Sequence, residues 1–377
     1  MGLRSVALVV AFSCAGAASA CGGDDDRQAA DREGRSEAGE DDGSARGEDP
    51  AQAPRGDRRG EGEAPGHDDD RMAPADTALS TWKDWERALE RGAADDVIAL
   101  YADGAELVLG GAVAASGRAE IERHFELRAA AIGDRERDPR VVIARDGEVV
   151  VVADVRGEHT GEILGIEPTG ARLYRAEIWR TFVDTRGLIT RQEVYADALN
   201  IQAQMQRRDI AARAPPARAE VGDAVVHAES GDGAPAASAR KAAAAVFEAL
   251  SAGDSQAFGA AFSPDGVLHD GSASQDATGR GAIAGHASSL RQAFPALEVR
   301  RLELWGAGDY VAATYELSGA HDGTWRRIRA RASGARFDVP GAALLEVADG
   351  AVTRAWLLYD GAAIANAIEA PEAEDDD

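Results

Sequence analysis

The chain repeats itself. ASGRAEIERHF at 115–125 returns as ATGRGAIAGHA at 277–287, which places His124 and His286 162 residues apart. Asp103-Gly104 and Asp265-Gly266 keep that spacing, as do His159 in GEHTG and His321 in GAHDG. The spacing becomes 164 at Arg172 and Arg336, and 163 at Asp197 and Asp360. A register this continuous, broken only by small loop changes, is the mark of a tandem duplication. The copies have diverged: GEHTGEILGIEPTG runs on intact in the first, whereas TWRRIRARASG follows GAHDG in the second.

Each copy presents its elements in the same order. An amphipathic helix comes first, TWKDWERALERG or KAAAAVFEALSAG, with Trp82, Trp85 and Leu89 at helical spacing. Gly92 or Gly253 ends it, and Asp95 or Asp254 is placed to cap a second short helix. A third helical stretch follows the SGR or TGR turn. The remainder alternates as strands: EVVVVADVRGEH, ARLYRAEIWRTFV and LITRQEVYAD in copy one. Copy two has RRLELWG, YVAATYELSGAH, ARFDVPGAALLEV and AVTRAWLLYD. Asp349-Gly350 between the last two is a hairpin signal. Helices first and an antiparallel meander after them predict an α+β fold, with a strongly bent sheet leaving a pocket open at one end.

The chain outside the repeats reads differently. Residues 1–20 have the positive start, short apolar run and Ala-Ser-Ala ending of a secretory signal, too short to span a membrane. Cys21 follows, and ASAC resembles the lipobox of lipoproteins, so lipidation at Cys21 is expected, with plain secretion as the alternative. Cys14 lies inside the signal, leaving the mature fold without a disulfide. Residues 21–76 are mostly Gly, Asp, Glu, Arg, Ala and Pro, with almost no apolar residue larger than Ala, so they cannot bury enough surface to order themselves and read as a disordered acidic tether. Such a chain spans on the order of 40 Å. The expected domains are 77–210 and 239–367, joined by a linker at 211–238 and followed by an acidic tail at 368–377. The net charge of −25 excludes nucleic acid as a partner.

Gly-Arg-x-x-Ile, Ala-Phe-Pro, Gly-Asp-x-Val-Ala, Gly-x-His-x-Gly, Pro-Thr-Gly and an aspartate after Trp or Tyr occur here in an order that resembles the SnoaL-like polyketide cyclase and ester cyclase family. That family belongs to the nuclear-transport-factor-2-like, cystatin-like α+β cone superfamily. The resemblance implies two tandem cone-shaped domains, each with N-terminal helices packed on a curved antiparallel sheet. Copy one lacks Ala-Phe-Pro, and copy two lacks Pro-Thr-Gly. In such cyclases an aspartate at the end of the last strand is the general acid and base of an aldol closure. The matching positions are Asp197 and Asp360.

Each candidate has a bland reading beside the chemical one. Asp197 and Asp360 serve either as acid–base carboxylates in an apolar cavity or as caps of the helical segments that follow. His159 and His321 either polarise a carbonyl or hydrogen-bond across a sheet edge. Trp179, Trp305, Trp325 and Trp356 line either a core or a ligand cavity. Trp356 and Tyr195 precede their aspartates by four and two residues, hence on the same face of an unbroken strand, and are the expected pocket walls. His124, His286 and His269 do not assemble a metal-ligand motif, so no metal is expected. No phosphate loop, Gly-x-Ser-x-Gly elbow or reactive cysteine is present, so no nucleotide cofactor is expected either. Two functions remain open: a module that binds a small apolar or carbonyl-containing molecule or pairs its sheets, and a cyclase- or isomerase-type enzyme using Asp197 or Asp360. The expected setting is the bacterial cell envelope, with membrane attachment through Cys21 and either intramolecular pairing of the two domains or a homodimer. Copy one, with its intact loop, and copy two, with AFP and Trp356, compete as the site.

Overall fold

The computed structural model describes residues 72–205, 210–215, 225–228 and 234–369. The expected signal, Cys21, nearly all of the tether and all but the first two residues of the acidic tail lie outside the described residues. The first half runs α1 (Ala75–Glu90), α2 (Ala94–Ala99), β1 (Tyr101–Leu109), β2 (Ala112–Ser116), α3 (Arg118–Ala131), β3 (Ile132–Arg145), β4 (Glu148–His159), β5 (Arg172–Val183), β6 (Ile189–Ala196) and α4 (Leu199–Gln204). After β7 (Val225–Ala228) the second half repeats that order: α5 (Ala234–Ala252), α6 (Ser255–Ala260), β8 (Phe262–Asp270), β9 (Ala277–Thr278), α7 (Arg280–Ala293), β10 (Glu298–Ala307), β11 (Tyr310–Ala320), β12 (Arg336–Ala348), β13 (Ala351–Tyr359) and α8 (Gly361–Glu369).

Local chemistry sets these boundaries. Gly117 and Gly279 stand before α3 and α7 with φ of 80° and 81°, a conformation that L side chains rarely adopt. Their N–H groups bond the carbonyls of Ala105 and Gly266, which ties the helix starts to β1 and β8 respectively. The Asp254 carboxylate accepts from Ala257 N at 2.9 Å and caps α6. Asp95 instead lies inside the first turn of α2, where no side-chain cap forms. Asp349 and Gly350 turn β12 into β13 with φ of 52° and 74°, the left-handed pair that a two-residue hairpin demands.

The sheets correct the expected shape. Their orders are β2-β1-β6-β5-β4-β3-β7 and β10-β11-β12-β13-β8-β9, and neither closes on itself. They are mixed rather than antiparallel, because β1 runs parallel to β6 and β8 parallel to β13. A cone of curved antiparallel sheet is therefore not what this chain builds. The helical pair at the start of each half delivers the chain to the far edge of the meander, so its first strand enters alongside the last one in the same direction.

Burial explains the valine run of β4. Val149 and Val151 face the core under α1 and α3, while Val150 and Val152 enter a second apolar layer. That layer joins Val150, Val152, Ile178 and Tyr195 to Trp305, Leu344, Trp356 and Leu358 of the other half. A strand covered on both faces reads as a continuous apolar run rather than an alternating one. β12 follows suit, with Leu344 in the shared layer and Leu345 in the core of the second half.

Candidate functional site

The polar centre of the second half lies where β8 ends beneath α7. Asp270 is the last residue of β8 and is 3% exposed. Its Oδ2 bonds His286 Nε2 on α7 at 2.8 Å and accepts from the Tyr359 hydroxyl at 3.0 Å. Its Oδ1 accepts from Ser272 N and Ser272 Oγ, both at 2.8 Å. The Ser272 and Tyr359 hydroxyls are themselves 2.9 Å apart. Burial alone would raise the Asp270 pKa, but the hydrogen bond and charge of His286, with the two bonds from Ser272, hold it at about 2. Asp270 is thus an ion, and it accepts from His286 Nε2–H.

Around this network lies an apolar cavity lined by Phe294, Leu357, Tyr315 and Tyr359 as well as Asp270 and His286. Its free space of about 20 Å³ holds one water molecule or one carbonyl oxygen. The Tyr315 hydroxyl is buried and has no hydrogen-bond partner. Burial, followed by the Asp270 charge, pushes the Tyr315 pKa well above that of an ordinary phenol, so it stays a proton donor. Outside the cavity an open basin of about 330 Å³ is walled by Ser274, Gln275, Ser289, Trp325, Arg326 and Arg327. His286 and Leu290 belong to both walls. The imidazole therefore stands between a polar basin large enough for a small molecule and an apolar recess large enough for one of its atoms.

The first half helps to build this site. Asn200, on α4, donates Nδ2 to the carbonyls of Gly271 and Ala273. Arg213 donates Nη2 to the Asp270 carbonyl at 2.6 Å and Nε to the Ala273 carbonyl at 3.0 Å. Arg327 closes the circuit by donating Nε to the Ser272 carbonyl at 2.7 Å and Nη2 to Asn200 Oδ1 at 2.8 Å. The loop that carries Asp270 and Ser272 is thus fixed by Asn200 from the first half, Arg213 from the segment between the halves and Arg327 from its own half.

The corresponding interior of the first half is built from different side chains. Leu109 pairs with Val194 as Asp270 pairs with Leu357, so the carboxylate position is aliphatic there. Ala153 and Glu177 face each other where Tyr315 and Gly341 do in the second half, which exchanges large for small across one strand pair. Glu177 is fully buried and pairs with Arg175, and it accepts from Trp179 Nε1 at 2.7 Å. Arg137 pairs with Glu86 and lies 5.5 Å and 5.3 Å from the ring centroids of Trp85 and Trp179. His124, the counterpart of His286, keeps a buried Nε2 without a partner, and burial with the Arg128 charge lowers its pKa to about 4.

The residues expected from sequence fall elsewhere. Asp197 accepts from Asn200 N at 2.8 Å and from Gly361 N at 2.9 Å. Asp360 accepts from Ala198 N at 3.3 Å and Ala362 N at 3.0 Å. Each carboxylate therefore bonds the segment after its own strand and the segment after the other. Burial and the Asp360 charge push Asp197 up to about 8, against the pull of its N–H bonds. Neither aspartate lines the cavity or the basin. His159 Nδ1 meets Thr169 Oγ1 at 3.0 Å and His321 Nδ1 meets Ser333 Oγ at 3.0 Å, so both histidines clamp the loop that follows them. Trp179 is in the first core, and Tyr195 and Trp356 lie between the sheets. The expected pocket wall is one residue out of step: Leu357 and Tyr359 face the cavity, while Trp356 and Leu358 face the other sheet. Trp325, by contrast, does wall the basin.

No helix among the described residues is long and apolar enough to cross a membrane. Among the described residues no group of His, Cys, Asp and Glu is arranged to hold a metal ion. Several crystal structures resemble parts of the chain. A candidate SnoaL-like polyketide cyclase from Jannaschia sp. is 25% identical over 37% of this chain and 98% of its own, with a TM-score of 0.34. A candidate polyketide cyclase from Pseudomonas putida is 19% identical over 33% of this chain and 94% of its own, with a TM-score of 0.31. A protein of ketosteroid-isomerase-like fold from Catenulispora acidiphila, in complex with trimethylamine, is 22% identical over 35% of this chain and 94% of its own, with a TM-score of 0.30. No curated protein matches the chain. Residues 243–355 match the model of the SnoaL-like domain, so the second half of the chain resembles that domain.

Proposed function

We propose that the second half is a proton-transfer enzyme of the cyclase or isomerase type, acting on a small carbonyl compound. The observation that carries this is the 2.8 Å contact of His286 with Asp270 at the junction of basin and cavity. His286 Nδ1 takes the proton from the carbon next to the carbonyl. Asp270 holds the tautomer and stabilises the imidazolium that forms. The Tyr315 hydroxyl, with no partner of its own, donates to the oxygen on which the negative charge gathers. The substrate skeleton rests in the basin, and only its carbonyl oxygen enters the recess. The test is proton-for-deuterium exchange at the α-carbons of a panel of ketones and aldehydes, followed by NMR with the full chain. Exchange above the buffer rate that is lost in His286→Gln supports the reading.

On this reading the two halves are divergent copies of one domain, and the first is the silent one. Its interior is packed with Glu86, Arg137, Arg175 and Glu177, and it serves as a scaffold that braces the loop from Asp270 to Asp276. We also propose that the chain is exported and held at the cell envelope through Cys21. Retention of Cys21→Ser in the membrane fraction would contradict that anchor.

A further inference from the structure

The basin in front of His286 has a charge pattern of its own. Arg326 and Arg327 follow Trp325 on the segment between β11 and β12, and both wall the basin. Arg327 donates to the carbonyls of Ser272 and Ala211 and to Asn200 Oδ1. All three acceptors are neutral, and a guanidinium has five N–H donors, so these bonds leave two donors unused, while the charges of Asp197 and Asp270 act on Arg327 from beyond ion-pair distance. Arg326 is exposed. Among the described residues neither arginine has a carboxylate within ion-pair distance. The carboxylate on the same wall, Asp276, is already engaged by Arg213 at 2.5 Å and His269 at 2.9 Å. In a chain of net charge −25, this cleft is a local exception with two cations facing a neutralised anion. A low-dielectric cleft of one sign concentrates ligands of the other.

We propose that the basin recognises the carboxylate of a small organic acid, so that the molecule handled there is a carbonyl compound with an acid group rather than a neutral ester or ketone. The planar fork of a guanidinium matches a carboxylate better than any neutral oxygen group. The position of the carbonyl in this ligand rests on the proton-transfer reading of His286; the demand for an anion does not. With the acid held at Arg326 and Arg327, the other end of a short molecule lies toward His286 and the recess.

Binding of levulinate and phenylpyruvate to the full chain, each beside its methyl ester, is measured by saturation-transfer NMR. At least one acid should bind about tenfold more tightly than its ester, the effect of one charge-assisted contact. The preference should shrink on adding salt and collapse in Arg326→Gln, an exposed site whose change leaves the loop bonds of Arg327 in place. Equal binding of acid and ester, binding of neither acid, or an unchanged preference in Arg326→Gln overturns the proposal. His286→Gln should keep the preference. An acid preference without His286-dependent exchange therefore sinks the proton-transfer reading alone, and exchange without an acid preference sinks this one alone.

Discussion

At the scale of single residues, a carboxylate's partners decide its role more than its place in a motif. Asp197 and Asp360 stand where the family resemblance puts acid–base chemistry, yet each spends its oxygens on backbone N–H groups. Asp197→Ala leaves two buried donors unsatisfied and should cost about 2–4 kcal/mol, read as a lower denaturation midpoint, while α-proton exchange at the measured temperature is kept. Glu177→Ala should cost more, about 3–5 kcal/mol, because it removes one partner of a buried ion pair with Arg175 and the acceptor of Trp179 Nε1. A change below about 1 kcal/mol in chemical denaturation would show that this ion pair is dispensable. Asp270 gives the stability a pH dependence of definite sign. Its folded pKa of about 2 lies below the unfolded value near 4, so the contribution is complete above about pH 4 and is lost as pH falls toward 2. Its size is on the order of 2 kcal/mol. The wild-type chain should therefore lose its stability advantage over Asp270→Asn as the pH falls through that window, and a constant difference would contradict the ion pair.

At the scale of elements, the signals that the sequence carried were those that repeat. The SGR and TGR turns predicted helices α3 and α7, and a left-handed glycine starts both. The first strand of each half was not legible. YADGAELVL and FSPDGVLHD each contain Asp-Gly, which reads as a turn, but the pair sits at a register shift inside the strand. The site was missed for a related reason. Tyr359, Tyr315 and Asp270 were discernible only by setting the copies side by side, where Ala196, Ala153 and Leu109 replace them. Asn200 and Arg213 had no signal at all, since their partners lie about 60–75 residues away on a loop of the other half. That bracing has a consequence. Asn200→Ala should loosen the loop from Gly271 to Asp276, seen as faster amide hydrogen exchange there, and slow α-proton exchange severalfold. Unchanged amide exchange in that loop would show that Asn200 does not hold it.

At the scale of the whole molecule, one duplicated plan has two interiors and one shared layer. The valine run of β4 was visible from sequence, but its reason, a sheet covered on both faces, was not. Burying Val150, Ile178, Trp305 and Trp356 in that layer ties the halves together, and the reciprocal bonds of Asp197 and Asp360 do so again at the strand ends. The first half can then give up its cavity to Glu177 and its arginines while still bracing the loop of the second. The most direct test compares the two matched histidines in one assay. α-Proton exchange catalysed by the full chain should fall to the buffer rate in His286→Gln and in Asp270→Asn, and should persist in His124→Gln and Asp360→Asn. Exchange that survives His286→Gln, or that vanishes in His124→Gln with the fold intact, would contradict a site in the second half.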